Sequence, residues 1–178
     1  MIAGVDEVGR GCLAGPVIAA SVILKRPIKG LMDSKRLSSK KREDLSQIII
    51  ENSIFAIGAA DSQEIDQINI LQASLLAMQR SLEKLDMQPK KVLVDGNHIF
   101  ETSTEIEAIV GGDNLIPSIS AASIVAKVFR DRLMMAYSKE FPNYGFDKHK
   151  GYPTKLHKEM LKEYGLTRIH RRTFKGVN

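Results

Sequence analysis

Apolar residues recur along this chain in short runs and in helical spacings, and the two patterns predict different elements. Short apolar or β-branched runs bounded by turn residues are typical of buried strands. Such runs predict strands that begin at residue 2 and lie within 17–24, 54–60, 91–97 and 106–110. The first of these strands ends in Asp6 and Glu7, and the fourth ends in Asp95.

Helices are predicted where a capping residue precedes an apolar pattern of helical period. They are expected over about 40–52 after Ser38 or Ser39, from the D-x-x-E pattern at 61–64, from Ser118 or Ser120 to about 138, and from Thr154 to 164. In the second helix, apolar residues recur at spacings of 4, 3, 4 and 3, which predicts a face that packs on a sheet; they are Leu71, Leu75, Met78, Leu82 and Leu85. The segments 30–38, 141–151 and 168–178 are expected to be irregular.

Alternating strands and helices favour an α/β fold with a mixed sheet flanked by helices and a C-terminal helical segment. The length of 178 residues fits one domain, with about 140–178 as a basic C-terminal extension that binds substrate. The only cysteine, Cys12, excludes an internal disulfide and is expected to pack in the core.

The net charge and the hydropathy of the chain indicate which kinds of molecule the protein binds. The net charge is +5, and residues 148–178 carry nine Lys or Arg against two acids, which suggests a polyanionic partner. The longest apolar stretch, 13–24, is too short to span a bilayer, and no signal peptide precedes the charged opening motif. We therefore expect a cytoplasmic protein that binds no membrane.

Candidate chemistry begins at the acids that end the strands. Adjacent carboxylates at a strand end are costly unless a cation neutralises them, and Mg²⁺ prefers carboxylate oxygens. Asp6, Glu7 and Asp95 are expected to meet at one sheet edge, and Asp113 in a glycine-rich turn can reach the same place. Four carboxylates could hold two divalent ions about 4 Å apart, as in two-metal phosphodiester hydrolysis. Asp113 is preferred to Asp131 as the fourth acid.

Asp131 lies in a predicted helix between Arg130 and Arg132, where a helical salt bridge with these arginines is expected. The turn after the first acids reads Gly9-Arg10-Gly11. Two glycines let a backbone approach a ligand closely, with N–H groups free to point at an anion.

These motifs closely resemble those of the bacterial type 2 ribonuclease H family, ribonuclease HII. The resemblance begins with D-E-V-G-R-G at 6–11 and L-A-G-P-V at 13–17. Further matching segments, in chain order, are 33–35, 68–73, 92–97, 112–113, 120–127, 144–146, 149–152, 154–155 and 169–174. The resemblance covers essentially the whole chain, and together the motifs are highly specific.

The resemblance implies a ribonuclease H-like fold and an endonuclease that cuts the RNA of RNA–DNA hybrids, or single ribonucleotides in duplex DNA. The products would be a 3′-hydroxyl and a 5′-phosphate. Asp6, Glu7, Asp95 and Asp113 would be the catalytic residues and would bind two Mg²⁺ or Mn²⁺. The protein is expected to be a monomer, and the sequence identifies no protein partner.

The resemblance also implies substrate contacts. The backbone of Gly9, Arg10 and Gly11 would contact the 2′-hydroxyl, and Tyr152 would stack on the sugar after the cut. Ser34, Lys35 and Lys150 are expected to contact substrate, and Lys127 either reaches a phosphate or ends on the surface.

Two positions depart from the family pattern. Cys12 stands where many relatives have proline, and Asn114 follows Asp113 where a small residue is usual. The alternatives are the sister type, ribonuclease HIII, and a catalytically silent module that binds hybrids. The former is disfavoured because the chain begins so close to Asp6, and the latter because all four acids are present.

The histidines have no metal-ligand spacing. His149, His157 and His170 are therefore expected to be on the surface or to face nucleic acid, and His98 has no assigned role.

Overall fold

The fold is a five-stranded sheet covered by helices on both faces. The structure, a computed structural model, describes residues 1–31 and 37–177. Their elements are β1 Ile2–Val8, β2 Val17–Leu24, α1 Ser39–Glu51, β3 Ser53–Ala60, α2 Ser62–Glu83, β4 Lys91–Asp95, β5 Glu105–Ile109, α3 Pro117–Glu140, α4 Phe146–His149 and α5 Lys155–Tyr164. Short 3₁₀ turns lie at Gly112–Asn114 and Pro142–Tyr144.

The sheet has the strand order β3-β2-β1-β4-β5. The first three strands form an antiparallel meander, whereas β4 and β5 run parallel to β1. The predicted α/β class with a mixed sheet is confirmed. No helix in the described part of the chain is both long and apolar enough to cross a membrane.

Two apolar layers enclose the sheet. Because side chains alternate along a strand, β2 contributes Val17 and Ala19 to the layer beneath α2, and Ile18, Ala20 and Val22 to the layer beneath α1 and α3. Burial on both faces explains why β2 is a continuous apolar run rather than an alternating one.

The register of β1 and β4 decides where the acids lie. Val5 pairs with Val94 in the parallel ladder, so the next residues, Asp6 and Asp95, are neighbours at the same edge. The predicted meeting of these strand ends is therefore a consequence of their parallel pairing.

The leucine stripe predicted for α2 is only partly the packed face. Its most buried residues are instead mostly small; they are Ser62, Ile65, Ala73, Ser74, Ala77, Met78 and Ser81. The reason is a close approach to β3, where a Cβ added to Gly58 would lie 2.0 Å from the Ala77 carbonyl oxygen. The leucines at 71, 75 and 82 are half-buried beside this contact, while Met78 is in the core as expected.

The capping prediction for α3 is wrong. The helix begins at Pro117 with Ile116 at the N-cap position, and no side chain caps it. Proline is favoured at the first helical position because its φ is already helical and it has no N–H to satisfy. Ser118 and Ser120 are buried inside the helix, and the Ser120 hydroxyl donates to the Leu31 carbonyl at 2.6 Å.

Other predicted ends are confirmed. Ser38 caps α1, Asp61 and Glu64 form a capping box at α2, and Thr154 caps α5. A kink at Asn69 in α2, where φ is 68°, was not predicted. The segment 141–151 is also more ordered than expected, since it contains a 3₁₀ turn and α4.

Candidate active site

Three acidic side chains gather where β1 and β4 end. Asp6 is buried, at 5% exposure, and its Oδ1 accepts a hydrogen bond from the Glu7 backbone N–H at 2.7 Å. Asp95 ends the neighbouring strand and is half-buried. The two strands thus deliver carboxylates to one edge of the sheet.

Asp113 approaches the same edge from the 3₁₀ turn before α3. Its backbone N–H donates to Asp95 Oδ1 at 3.2 Å, and its own Oδ1 accepts from the Asn114 side chain at 2.7 Å. Asn114, the departure from the family pattern, therefore holds the carboxylate it follows.

The competing acid, Asp131, is engaged elsewhere. It forms a salt bridge with Lys127 at 2.8 Å, one turn earlier in α3. The prediction that Asp131 pairs with its flanking arginines is wrong, because Arg130 turns into the core and Arg132 lies near Glu43, at 3.6 Å.

The acids suit a hard divalent cation in their chemistry. Burial and the charges of Glu7 and Asp95 raise the pKa of Asp6 well above its usual range, against a lowering hydrogen bond with Ser123. A cation would remove that repulsion. In residues 1–31 and 37–177, no three His, Cys, Asp or Glu side chains are already arranged to hold a metal.

A small cleft of about 90 Å³ lies beside these acids. Its rim carries Glu7, Arg10, Asp95 and His98, and its wall is formed by α2 residues that include Met78. Arg10 crosses toward the acids, with its guanidinium 3.3 Å from Glu7 Oε1. Arg10 of the turn and the carboxylates of Glu7 and Asp95 therefore line one cleft.

Tyr152 lies near Arg130 and Cys12, with 37% of its surface exposed. The Lys127 ammonium is 5.5 Å from the centre of its ring, and Lys150 donates to the Asp147 carbonyl. Lys127, for which two roles were open, thus contacts both Asp131 and Tyr152. Ser34 and Lys35 lie outside the described residues.

Sequence reasoning missed Ser123, whose side chain hydrogen-bonds to Asp6 from α3. Ser123 is half-buried among the buried residues of α3, and a polar residue inside that apolar run is the signal that could have identified it. Cys12 is buried, as predicted, and its side chain hydrogen-bonds to Tyr152.

The prediction for the three C-terminal histidines is wrong: His149, His157 and His170 are all buried, with exposures of 7% or less. Hydrogen bonds determine which ring nitrogen of His157 and of His170 carries the proton. His157 Nδ1 donates to the Tyr152 carbonyl at 2.9 Å, so its Nε2 accepts from His170 Nε2 at 3.1 Å. His170 Nδ1 in turn accepts from the Thr167 N–H at 2.9 Å. Neutral imidazoles with satisfied nitrogens pack well beside aromatic rings, which is why histidine is buried here.

This histidine chain predicts a loss of stability in mild acid. Burial lowers the pKa of both His157 and His170 to about 4, against 6.5 in the unfolded chain. The unfolded chain therefore takes up protons first, and the free energy of unfolding falls as the pH drops from about 6.5 to 4. The fall should reach roughly 3 kcal/mol for each histidine that stays neutral.

Urea unfolding at a series of pH values measures this effect. His157→Gln should flatten the dependence between pH 6.5 and 4 and lower stability at pH 7. The matched control, His98→Gln, changes an exposed histidine and should leave the profile unaltered. An unchanged slope in His157→Gln would contradict the assignment.

The strand order and the helices on both sheet faces are those of ribonuclease H-type nucleases. The crystal structure of ribonuclease H2 from Pyrococcus horikoshii OT3 is similar, with a TM-score of 0.82 and 28% identity, covering 99% of this chain and 94% of that one. Bst-RNase HIII in complex with Mn²⁺ has the same fold, at a TM-score of 0.77 and 16% identity, over 99% of this chain and 67% of that one.

Within this class, the chain belongs to the ribonuclease HII family, whose model matches residues 3–177. Ribonuclease HII of Coxiella burnetii strain RSA 493 is 54% identical over 180 residues, which covers 99% of this chain and 89% of the relative. Ribonuclease HII of Pelagibacter ubique is 52% identical, over all of this chain and 97% of the relative. The resemblance seen in the motifs is thereby confirmed, and the activity is that of a metal-dependent type 2 ribonuclease H.

Proposed function

We propose that this enzyme hydrolyses the RNA strand of RNA–DNA hybrids and cuts on the 5′ side of single ribonucleotides in duplex DNA. Water adds to the phosphorus and the bond to the 3′ oxygen breaks, which leaves a 3′-hydroxyl and a 5′-phosphate. The observation that carries this proposal is the position of Asp6 beside Asp95 at the ends of paired strands, next to a cleft that Glu7, Arg10 and Asp95 line.

Asp6, Glu7, Asp95 and Asp113 would hold two Mg²⁺ or Mn²⁺ ions. When bound, the ions activate the attacking water and stabilise the leaving oxygen. Among the chain's own groups, Ser123 orients the buried Asp6 carboxylate, and the Asp113 N–H holds Asp95 Oδ1 at 3.2 Å. These hydrogen bonds keep the carboxylates at the cleft before substrate arrives.

Substrate selection would use the turn and Tyr152. The N–H groups of the Gly9-Arg10-Gly11 turn would contact the 2′-hydroxyl, the group that distinguishes RNA from DNA. Lys127, beside the Tyr152 ring, and Lys150 would meet the phosphate backbone, with Ser34 and Lys35 as further predicted contacts. Exposed lysines of the C-terminal segment extend this basic surface, and they include residues 148, 155, 158, 162 and 175.

Cleavage of duplex DNA that carries one ribonucleotide tests the proposal. We expect one cut on the 5′ side of the ribonucleotide with Mg²⁺ or Mn²⁺, and none with a chelator. Cleavage of long hybrids but not of this duplex would contradict the proposed recognition of the RNA–DNA junction. Intact binding without cleavage under either metal would instead favour the silent hybrid-binding module.

Tyr152→Ala should lower the selectivity for the RNA–DNA junction about tenfold while reducing duplex affinity much less, because stacking acts at one nucleotide. Selectivity is measured as the ratio of kcat/KM on a junction substrate to that on a uniform hybrid. Tyr164→Ala is the matched control, since this tyrosine is exposed on α5. Equal losses of selectivity and affinity in Tyr152→Ala would argue against stacking.

A further inference from the structure

Two arginines lie buried behind the glycine turn. The side chains of Arg130 in α3 and Arg171 near the C-terminus are both fully inaccessible to solvent. Neither forms an ion pair with a carboxylate among residues 1–31 and 37–177. A buried cation without an acid is costly, so its hydrogen bonds must compensate for the lost hydration.

The Arg171 side chain donates hydrogen bonds to the backbone of the segment that joins β1 to β2. Its guanidinium donates to the carbonyls of Gly9 at 2.7 Å, Arg10 at 2.9 Å and Gly15 at 2.8 Å. This segment has no strand or helix, so without Arg171 the Arg10 and Gly15 carbonyls would lose this donor, and the Gly9 carbonyl would keep the Cys12 N–H at 3.4 Å.

These contacts set the direction of two N–H groups. In a planar trans peptide, the C=O and the N–H point in opposite directions. Because the Gly9 and Arg10 carbonyls point inward at Arg171, the N–H groups of Arg10 and Gly11 point away from it. Both residues are exposed, and a Cβ added to Gly11 would meet nothing within 4 Å. The two amides therefore point away from the interior at an exposed part of the turn.

Arg130 connects the same turn to Tyr152. It donates to the Lys150 carbonyl at 2.8 Å and lies 6.0 Å from the Tyr152 ring centre. It also lies against Gly9, where φ is +97° and an added Cβ would be 2.2 Å from the Arg130 Nε. The two arginines thus fix the turn and the tyrosine relative to each other.

We propose that Arg171 is a positioning residue for ribonucleotide recognition: it orients the amides of Arg10 and Gly11 toward the 2′-hydroxyl while touching no substrate. Arg130 acts with it by fixing Tyr152 at its distance from the turn. The inference rests on the proposed function, because it requires that the turn contacts the ribose. Burial lowers the pKa of Arg171 only to about 10, so it remains a cation at neutral pH.

Arg171→Lys tests the inference, since lysine keeps the charge but cannot hold three carbonyls with a planar fork. The readout is the ratio of two dissociation constants, for an all-DNA duplex and for the same duplex with one ribonucleotide, both measured in chelator. We expect the ratio to fall about tenfold, with all-DNA affinity within about twofold of wild type.

Arg80→Lys is the matched control, because Arg80 also donates to a backbone carbonyl, that of Ala59, but lies on α2 away from the turn. It should keep the wild-type ratio. An unchanged ratio in Arg171→Lys would overturn the inference, as would an equal loss of affinity for both duplexes. Absence of any preference in the wild type would instead show that the proposed function itself fails.

Phe174→Leu provides a second test of the positioning role of Arg171 if Arg171→Lys does not fold. The Phe174 ring lies 5.0 Å from the Arg171 guanidinium carbon and limits its movement without accepting its hydrogen bonds. Removing the ring should lower the ratio about threefold at a temperature where the variant is folded. A wild-type ratio in folded Phe174→Leu would contradict a positioning role for Arg171.

Discussion

Asp95→Asn is expected to lower the cleavage rate at least about a thousandfold while leaving duplex affinity nearly unchanged. The substitution keeps the shape of the side chain and removes the charge that, with Asp6, would hold the metal ions. Asp95 also raises the pKa of buried Asp6, so its neutralisation relieves repulsion rather than destabilising the fold. Single-turnover cleavage and binding in chelator separate the two effects.

Asp86→Asn is the matched control, since Asp86 is an exposed acid outside the cleft. It should retain wild-type cleavage and affinity. A wild-type cleavage rate in Asp95→Asn would contradict the assignment of Asp95 to the metal site. A loss of duplex binding would show that Asp95 acts on the fold instead.

Gly4→Ala should have the largest effect on stability, a loss of about 3 kcal/mol or more. The α3 helix crosses β1 at this glycine, and an added Cβ would lie 2.1 Å from the Ser118 backbone carbon and 2.2 Å from the Ile119 nitrogen. Backbone atoms inside a packed helix cannot move aside, so the helix must separate from the strand that carries Asp6. Thermal unfolding should show Tm lowered by about 10 °C.

Gly11→Ala provides the control, because its added Cβ would face open space and its φ is not in the left-handed region. Its free energy of unfolding should change by less than about 0.5 kcal/mol. A Gly4→Ala variant as stable as wild type would mean that α3 and β1 pack less closely than the structure indicates.

Apolar runs and capping residues were sufficient to predict most of the strands and helices. All five strands in the described residues lie where apolar runs predict them, and the capping box at Asp61 and the cap at Thr154 form as expected. These features depend on residues a few positions apart, so the sequence contains their whole cause. The start of α3 was predicted wrongly because the burial of Ser118 and Ser120 depends on the sheet beneath them.

The candidate site likewise contains residues that the sequence identifies and residues that it does not. The acids and the Gly9-Arg10-Gly11 turn could be recognised from the sequence, because each motif is contiguous or ends a strand. Buried Arg130 and Arg171 could not, since most of their hydrogen-bond partners lie far away in the chain; one Arg171 contact joins residues 162 positions apart. The pairing of His157 with His170, 13 positions apart, likewise depends on how α5 packs against the following segment.

The sequence by itself determined the family, the strands and helices, and which carboxylates and glycines are available for chemistry. Only the tertiary structure decided that Asp6 lies beside Asp95, that the Gly9 and Arg10 carbonyls point at Arg171, and that polar side chains of Arg171 and His157 belong to the interior. The physical reason is that burial of a polar group depends on whether distant backbone carbonyls satisfy it, and packing alone brings those partners together.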